Sequence, residues 1–134
     1  MLSLVTPKAG LCEVRAIGSD VRSNSQGTQI RLTFDDMSTQ LAGVYGRHEV
    51  MDRLMPGSIW RDPQDWMMAL LKKERVLQAE WDKELGADLK NGVQSIILAA
   101  HASDTSRGYL LLQYESENNP QCEAEVLDAQ RTAL

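Results

Sequence analysis

The side chains that could do chemistry in this sequence are few and scattered. Nucleophilic catalysis needs a Ser, Cys or Thr held beside a base. The two histidines, His48 and His101, are the obvious bases. Neither sits near a G-x-S-x-G turn or a papain-like cysteine. His101 closes an apolar run and reads as a strand-end residue. His48, between Arg47 and Glu49, reads as a surface residue at a helix start. In the segment HEVMDR, His48 and Asp52 are four apart, so one helix face would carry both. The second histidine of H-E-x-x-H is missing, and a working metal site also needs further ligands and a supporting shell. Cys12 and Cys122 form no C-x-x-C or Cys/His cluster, so they read as reduced thiols, not zinc ligands. Asp35 and Asp36 are adjacent; on a strand they would point to opposite faces, and aspartate is a favoured turn residue. Gly43 to Gly46 is only G-x-x-G, with no phosphate-loop lysine or serine after it. The expectation is a non-enzymatic protein with no cofactor and no metal.

Charge narrows the partners. The chain has 134 residues and a formal net charge of −5. Residues 1–61 carry +1 and residues 62–134 carry −6. Six of the seven basic residues in the first part are arginine, the side chain suited to planar, bidentate and stacked contacts. An acidic chain is a poor prior for a nucleic-acid binder, and the asymmetry offsets that only in part. Hydrophobic residues make up 43% and charged residues 25%, close to the globular average. No apolar run approaches the roughly 18 residues of a membrane span. The N-terminus lacks the length of a signal-peptide core. A cytoplasmic protein with no membrane partner is expected.

The elements that must position these residues follow from periodicity. Leu11–Ile17 alternates and predicts a strand. Residues 29–34 alternate too, with Ile30, Leu32 and Phe34 on the core side, so a long hairpin is expected across the SDVRSNSQG turn. Asp35–Asp36 would make a second turn, Gln40–Tyr45 a third strand and His48–Met55 a short helix ended by Pro56–Gly57. Ser58–Arg61 would be a short strand. Residues 63–85 predict one long helix: Asp62 as cap, Pro63 in the first turn, and Trp66, Leu70, Leu77, Trp81 and Leu85 at helical spacing. Trp66 and Trp81 would pack in the core, and Lys72, Lys73 and Arg75 would form a solvated cationic face. Val93–Ala100 and Gly108–Glu115 predict two strands paired across a short polar link. The fold class is therefore α+β: an antiparallel sheet or a small, partly open barrel packed on one long helix. Residues 1–115 would form a single domain, and residues 116–134 a polar acidic tail with a short helix over 123–131.

Residues 11–61 resemble the opening of an OB-fold. The resemblance rests on CEVRAI and TQIRLTFDD as a hairpin, QLAGVYG as a third strand, HEVMDRL as a short helix, and PGSIW after it. It implies a five-stranded barrel that binds oligonucleotides across strands two and three. It would place Arg15 and Arg31 on the solvent face of the hairpin and Arg22 near its tip, with Tyr45, Arg47 and Trp60 nearby. Charge for the backbone and π-faces for the bases are what single-strand binding uses. Independently of the resemblance, Trp60 followed by Arg61 lies off the long-helix stripe and suits an exposed interface. Two readings result. One is a protein–protein adaptor or inhibitor, consistent with small size, acidity and six methionines. The other is a single-stranded nucleic-acid-binding module using the arginine-bearing hairpin.

Overall fold

The computed structural model describes residues 2–6, 10–90 and 92–117. Cys122 and the expected helix over 123–131 lie outside the described residues, as does the tail beyond Glu117. In chain order the elements are β1 (Leu2–Thr6), β2 (Gly10–Ile17), β3 (Val21–Arg22), α1 (Thr28–Tyr45), β4 (Glu49–Leu54), α2 (Trp66–Leu71), β5 (Arg75–Asp82), β6 (Val93–Asp104) and β7 (Arg107–Ser116). The sheet is open and antiparallel, in the order β1-β2-β7-β6-β5-β4, with the two-residue β3 added against β7. The fold is α+β, an antiparallel sheet packed on helices, as the sequence predicts. The longest helix is elsewhere than predicted.

Residues 28–45 form that helix, where the alternation of Ile30, Leu32 and Phe34 predicts a strand, a turn and another strand. Ile30, Phe34, Ser38 and Leu41 are its buried residues, spaced four, four and three apart, which is a helical face and not a pleat. Leu32 is 59% exposed. The helix begins where the Asn24 Oδ1 accepts the Thr28 N–H at 3.0 Å and the Gln29 Oε1 accepts the Asn24 N–H at 2.9 Å. It ends where the Gly46 N–H donates to the Ala42 carbonyl at 2.8 Å, with Gly46 at φ 78°. Asp35 and Asp36 are exposed residues of this helix, not a turn, and Gly43 to Tyr45 is its last turn.

The reverse error occurs at 48–55. Glu49–Leu54 is a strand, β4, where a helix is expected, and it pairs antiparallel with β5. The stretch 63–85 also divides. Pro63–Asp65 is a 3-10 turn, α2 lasts only six residues, and β5 follows. The stop is a Schellman motif: Glu74 N–H donates to Ala69 O at 2.9 Å and Lys73 N–H to Leu70 O at 3.1 Å. Lys73 occupies the left-handed position at φ 60°, where glycine is usual. Lys72, Lys73 and Arg75 therefore form no common helix face. Ser58–Arg61 forms no strand.

The last two strands are as predicted and pair antiparallel, from Ser95↔Glu115 to Asp104↔Arg107. They run longer than expected because Asp104 caps a two-residue turn, accepting from the Ser106 N–H at 2.7 Å and its hydroxyl at 3.0 Å.

The core lies on one side of this sheet. Leu77, Ala79 and Trp81 of β5, Ile96, Leu98 and Ala100 of β6, and Leu110 of β7 share a face and pack against α1 and α2. Trp66 and Trp81 are both core residues, as expected, but from a helix and a strand. Behind them the Tyr45 and Tyr114 hydroxyls meet; burial and Tyr45 push the Tyr114 phenol up to about 12. Of the elements that carried the OB-like resemblance, the first strand stands, the next two strands are one helix, and the short helix is a strand.

Candidate binding surface

The sheet alternation sends the odd-numbered residues of β2, β4, β6 and β7 and the even-numbered residues of β5 to the face opposite the helices. Among the described residues, no element packs on that face. Its layout follows from the strand registers. One row runs Met51, Gln78, Ala99, Leu111 and Ile17. The next runs Glu49, Glu80, Ile97, Gln113 and Arg15. The third runs Asp82, Ser95, Glu115 and Glu13. The face thus passes from a mainly apolar row, through a mixed one, to a row with three carboxylates. Ile17 is 60% exposed and Met51 41%. Below the apolar row, His101 stacks on its cross-strand neighbour Tyr109 at 5.4 Å, and burial, aided by Lys73, lowers its pKa.

Electrostatics marks the acidic end. Glu80 lies directly opposite Glu49 in the β4–β5 register. Burial raises its pKa, and Asp82, Glu49 and Glu115 raise it further. Glu13 is paired within its own strand to Arg15 at 2.5 Å. Glu115 accepts from the Gln113 amide at 2.7 Å. Arg47 and His48 border the same small cavity as Glu49, Glu80 and Asp82.

The arginines and aromatics expected to share one face are dispersed. Arg15 is on the helix-free face. Arg31 is on α1, on the other side of the sheet, with its guanidinium 5.2 Å from the Trp66 ring centroid. Tyr45, the last residue of α1, is half-buried against Tyr114. Arg47 is exposed beside Gly86. Trp60 is half-buried, and Arg61 is exposed in the loop before α2. The hairpin that was to unite Arg15 and Arg31 is not formed, because residues 29–34 are helical.

Arg22 gains a basic neighbour across the sheet that sequence reasoning missed. In the β3–β7 register it lies opposite Arg107. The two border a cavity of about 450 Å³ with Ser23, Asn24, Gln29 and Ser106 at the start of α1. Nothing in the spacing of 22 and 107 signals this, since it depends on a two-residue strand.

His48 and Asp52 do not converge. His48 stacks on Trp81 at 4.8 Å, with its Nδ1 3.3 Å from the Gly46 carbonyl. Asp52 accepts from the Arg75 guanidinium at 2.8 Å. Among the described residues no three His, Cys, Asp or Glu side chains are grouped as a metal site, and no helix is long and apolar enough to cross a membrane. Compared with family models, with curated proteins and with solved structures, the chain matches none.

Proposed function

We propose that this chain is a non-enzymatic protein-binding module, an adaptor or inhibitor, and that its helix-free sheet face is the binding surface. The observation that carries this is the graded face itself: Met51, Ala99, Leu111 and Ile17, interrupted by Gln78, then a mixed row with Glu49 and Glu80 at one end, then a row with Asp82, Glu115 and Glu13, with no covering layer among the described residues. Exposed apolar surface bordered by charge suits a partner protein. The carboxylates favour a partner whose apolar contact is bordered by Lys or Arg, since complementary charge steers association and excludes wrong partners. The test uses the tagged protein as bait in its native extract, with Ile17→Lys/Leu111→Lys as the face variant and Leu32→Lys on α1 as control. A partner retained by wild type and control but lost with the face variant supports the reading. Capture indifferent to the face variant sinks it.

A second reading keeps single-stranded nucleic acid. It rests on Arg22 and Arg107, opposed across β3 and β7 beside the cavity, neither in an ion pair among the described residues. Two arginines can hold a backbone phosphate. Anisotropy of a labelled oligonucleotide should then fall to the free value in Arg22→Glu/Arg107→Glu. Equal binding by this variant and wild type would remove the reading.

A further inference from the structure

Among the described residues the sheet ends at β4, and nothing pairs with its outer edge. Among them β4 is the terminal strand, with β5 as its one partner. Val50 is 54% exposed and Met51 41%. An edge strand offers unpaired N–H and C=O groups as a template for another strand. Which groups are offered follows from one hydrogen bond. Met55 N–H donates to the Glu74 carbonyl at 2.7 Å, continuing the β4–β5 register beyond Leu54↔Arg75. Backbone polar groups alternate in direction along a strand. The odd-numbered residues of β4 therefore bond to β5, and Val50, Asp52 and Leu54 direct their N–H and C=O to the free edge.

We infer that β4 pairs antiparallel with β4 of a second copy of this chain, about a two-fold axis at Met51. In this register Val50 and Asp52 exchange both backbone hydrogen bonds with Asp52 and Val50 of the second copy. Met51 meets Met51 as the closely spaced, non-hydrogen-bonded pair. Glu49 meets Arg53, twice by symmetry, on the helix-free face. Charges on an edge strand ordinarily deter pairing, but here they are self-complementary, as an isologous interface requires. Other registers of the same parity are worse. Sliding one way sets Asp52 against Asp52; sliding the other sets Arg53 level with Arg47. The pairing also relieves a conflict within one copy. Glu49 faces Glu80 across β4 and β5, and like charges directly opposite destabilise a sheet. Neither Glu49 nor Arg53 is in an ion pair among the described residues. The second copy's Arg53 adds a cation directly opposite Glu49, beside the Arg47 that borders the same cavity as Glu49 and Glu80. The two helix-free faces become one continuous surface, although the dimer stands or falls apart from any function of that face.

The experiment is sedimentation equilibrium of the full chain, with circular dichroism and melting to confirm folding. Wild type is expected to be dimeric. Glu49→Arg and Arg53→Glu each set like charges opposite one another at two symmetric contacts and should weaken the dimer at least about tenfold. The double exchange E49R/R53E restores the complementary pairs and should restore dimerisation, which no misfolding account explains. Val50→Pro removes only a donor aimed at the free edge and should give a folded monomer. A wild type that stays monomeric at about 100 µM overturns the inference. So does a dimer unmoved by both single exchanges, or one that the double exchange fails to restore.

Discussion

Gly27 precedes α1 at φ 74°, and a Cβ placed there would come under 3.0 Å from three ring atoms of Trp66. The position combines a left-handed backbone with a close approach, so only glycine fits. Gly27→Ala should cost about 2–4 kcal/mol, combining left-handed strain with overpacking, measured by urea unfolding. Glu80 makes a prediction of opposite sign. Its folded pKa is raised above 4.5, first by burial and then by Asp82, Glu49 and Glu115. A raised acid favours folding only while protonated: its contribution is present below pH 4.5 and lost as pH rises through the folded pKa. At pH 7 Glu80 therefore opposes folding. Glu80→Gln should stabilise the protein there, by up to about 1 kcal/mol after screening by solvent. The gain should disappear in melts below pH 4.5, and a gain that persists in acid would contradict this account.

At the scale of elements, α1 and β4 were misread for the same reason. Short stretches of apolar residues satisfy both periods. Ile30 and Phe34 are two alternations apart and also one helical turn apart; the buried Ser38 interrupts the stripe that would have decided between them. The two readings differ at Leu32, which a strand buries and the helix exposes. Leu32→Glu should change stability by no more than about 0.5 kcal/mol, whereas Phe34→Glu, which puts a charge in the core, should unfold the protein. Near-equal costs by chemical denaturation would return residues 29–34 to a strand. The end of α2 was hidden because lysine holds the place of glycine. Lys73→Gly should stabilise by about 0.5–1 kcal/mol, left-handed strain relieved less the extra freedom of glycine when unfolded. Loss of stability would mean the Lys73 side chain makes a contact that outweighs its backbone.

At the scale of the whole molecule, the described residues make two layers, helices on one side of an open sheet. The distinction shows in neighbouring leucines of β7. Leu110 is buried against the helices, while Leu111 lies on the other face beside Ala99 and Ile17. Leu110→Lys should unfold the protein, because a buried, unpaired charge is intolerable. Leu111→Lys should melt within a few degrees of wild type, a loss of about 1 kcal/mol or less. Comparable melting losses would mean that something covers the outer face. This layer arrangement creates the candidate surface, and no stretch of sequence contains it: its apolar residues come singly from β4, β6, β7 and β2, with Gln78 of β5 among them.

By itself the sequence determined the α+β class, the strand at 11–17 and the β6–β7 hairpin. In each, strong local signals agreed: long alternation, β-branched residues, and turn chemistry at Asp104 to Ser106. It also marked Trp66 and Trp81 as core residues, since hydrophobicity decides burial whichever element carries it. Only the tertiary structure decided that residues 28–45 are helix and that β4 and β5 are strands. Short amphipathic segments take the conformation that buries their apolar side against what is already there, and here Ile30 and Phe34 meet the β6–β7 sheet. The candidate site was legible only as isolated residues. Arg15 and Arg31 parted because a helix turned one away from the sheet. Glu49 and Glu80, and likewise Arg22 and Arg107, came face to face because strand register is set by non-local pairing, which sequence spacing does not encode.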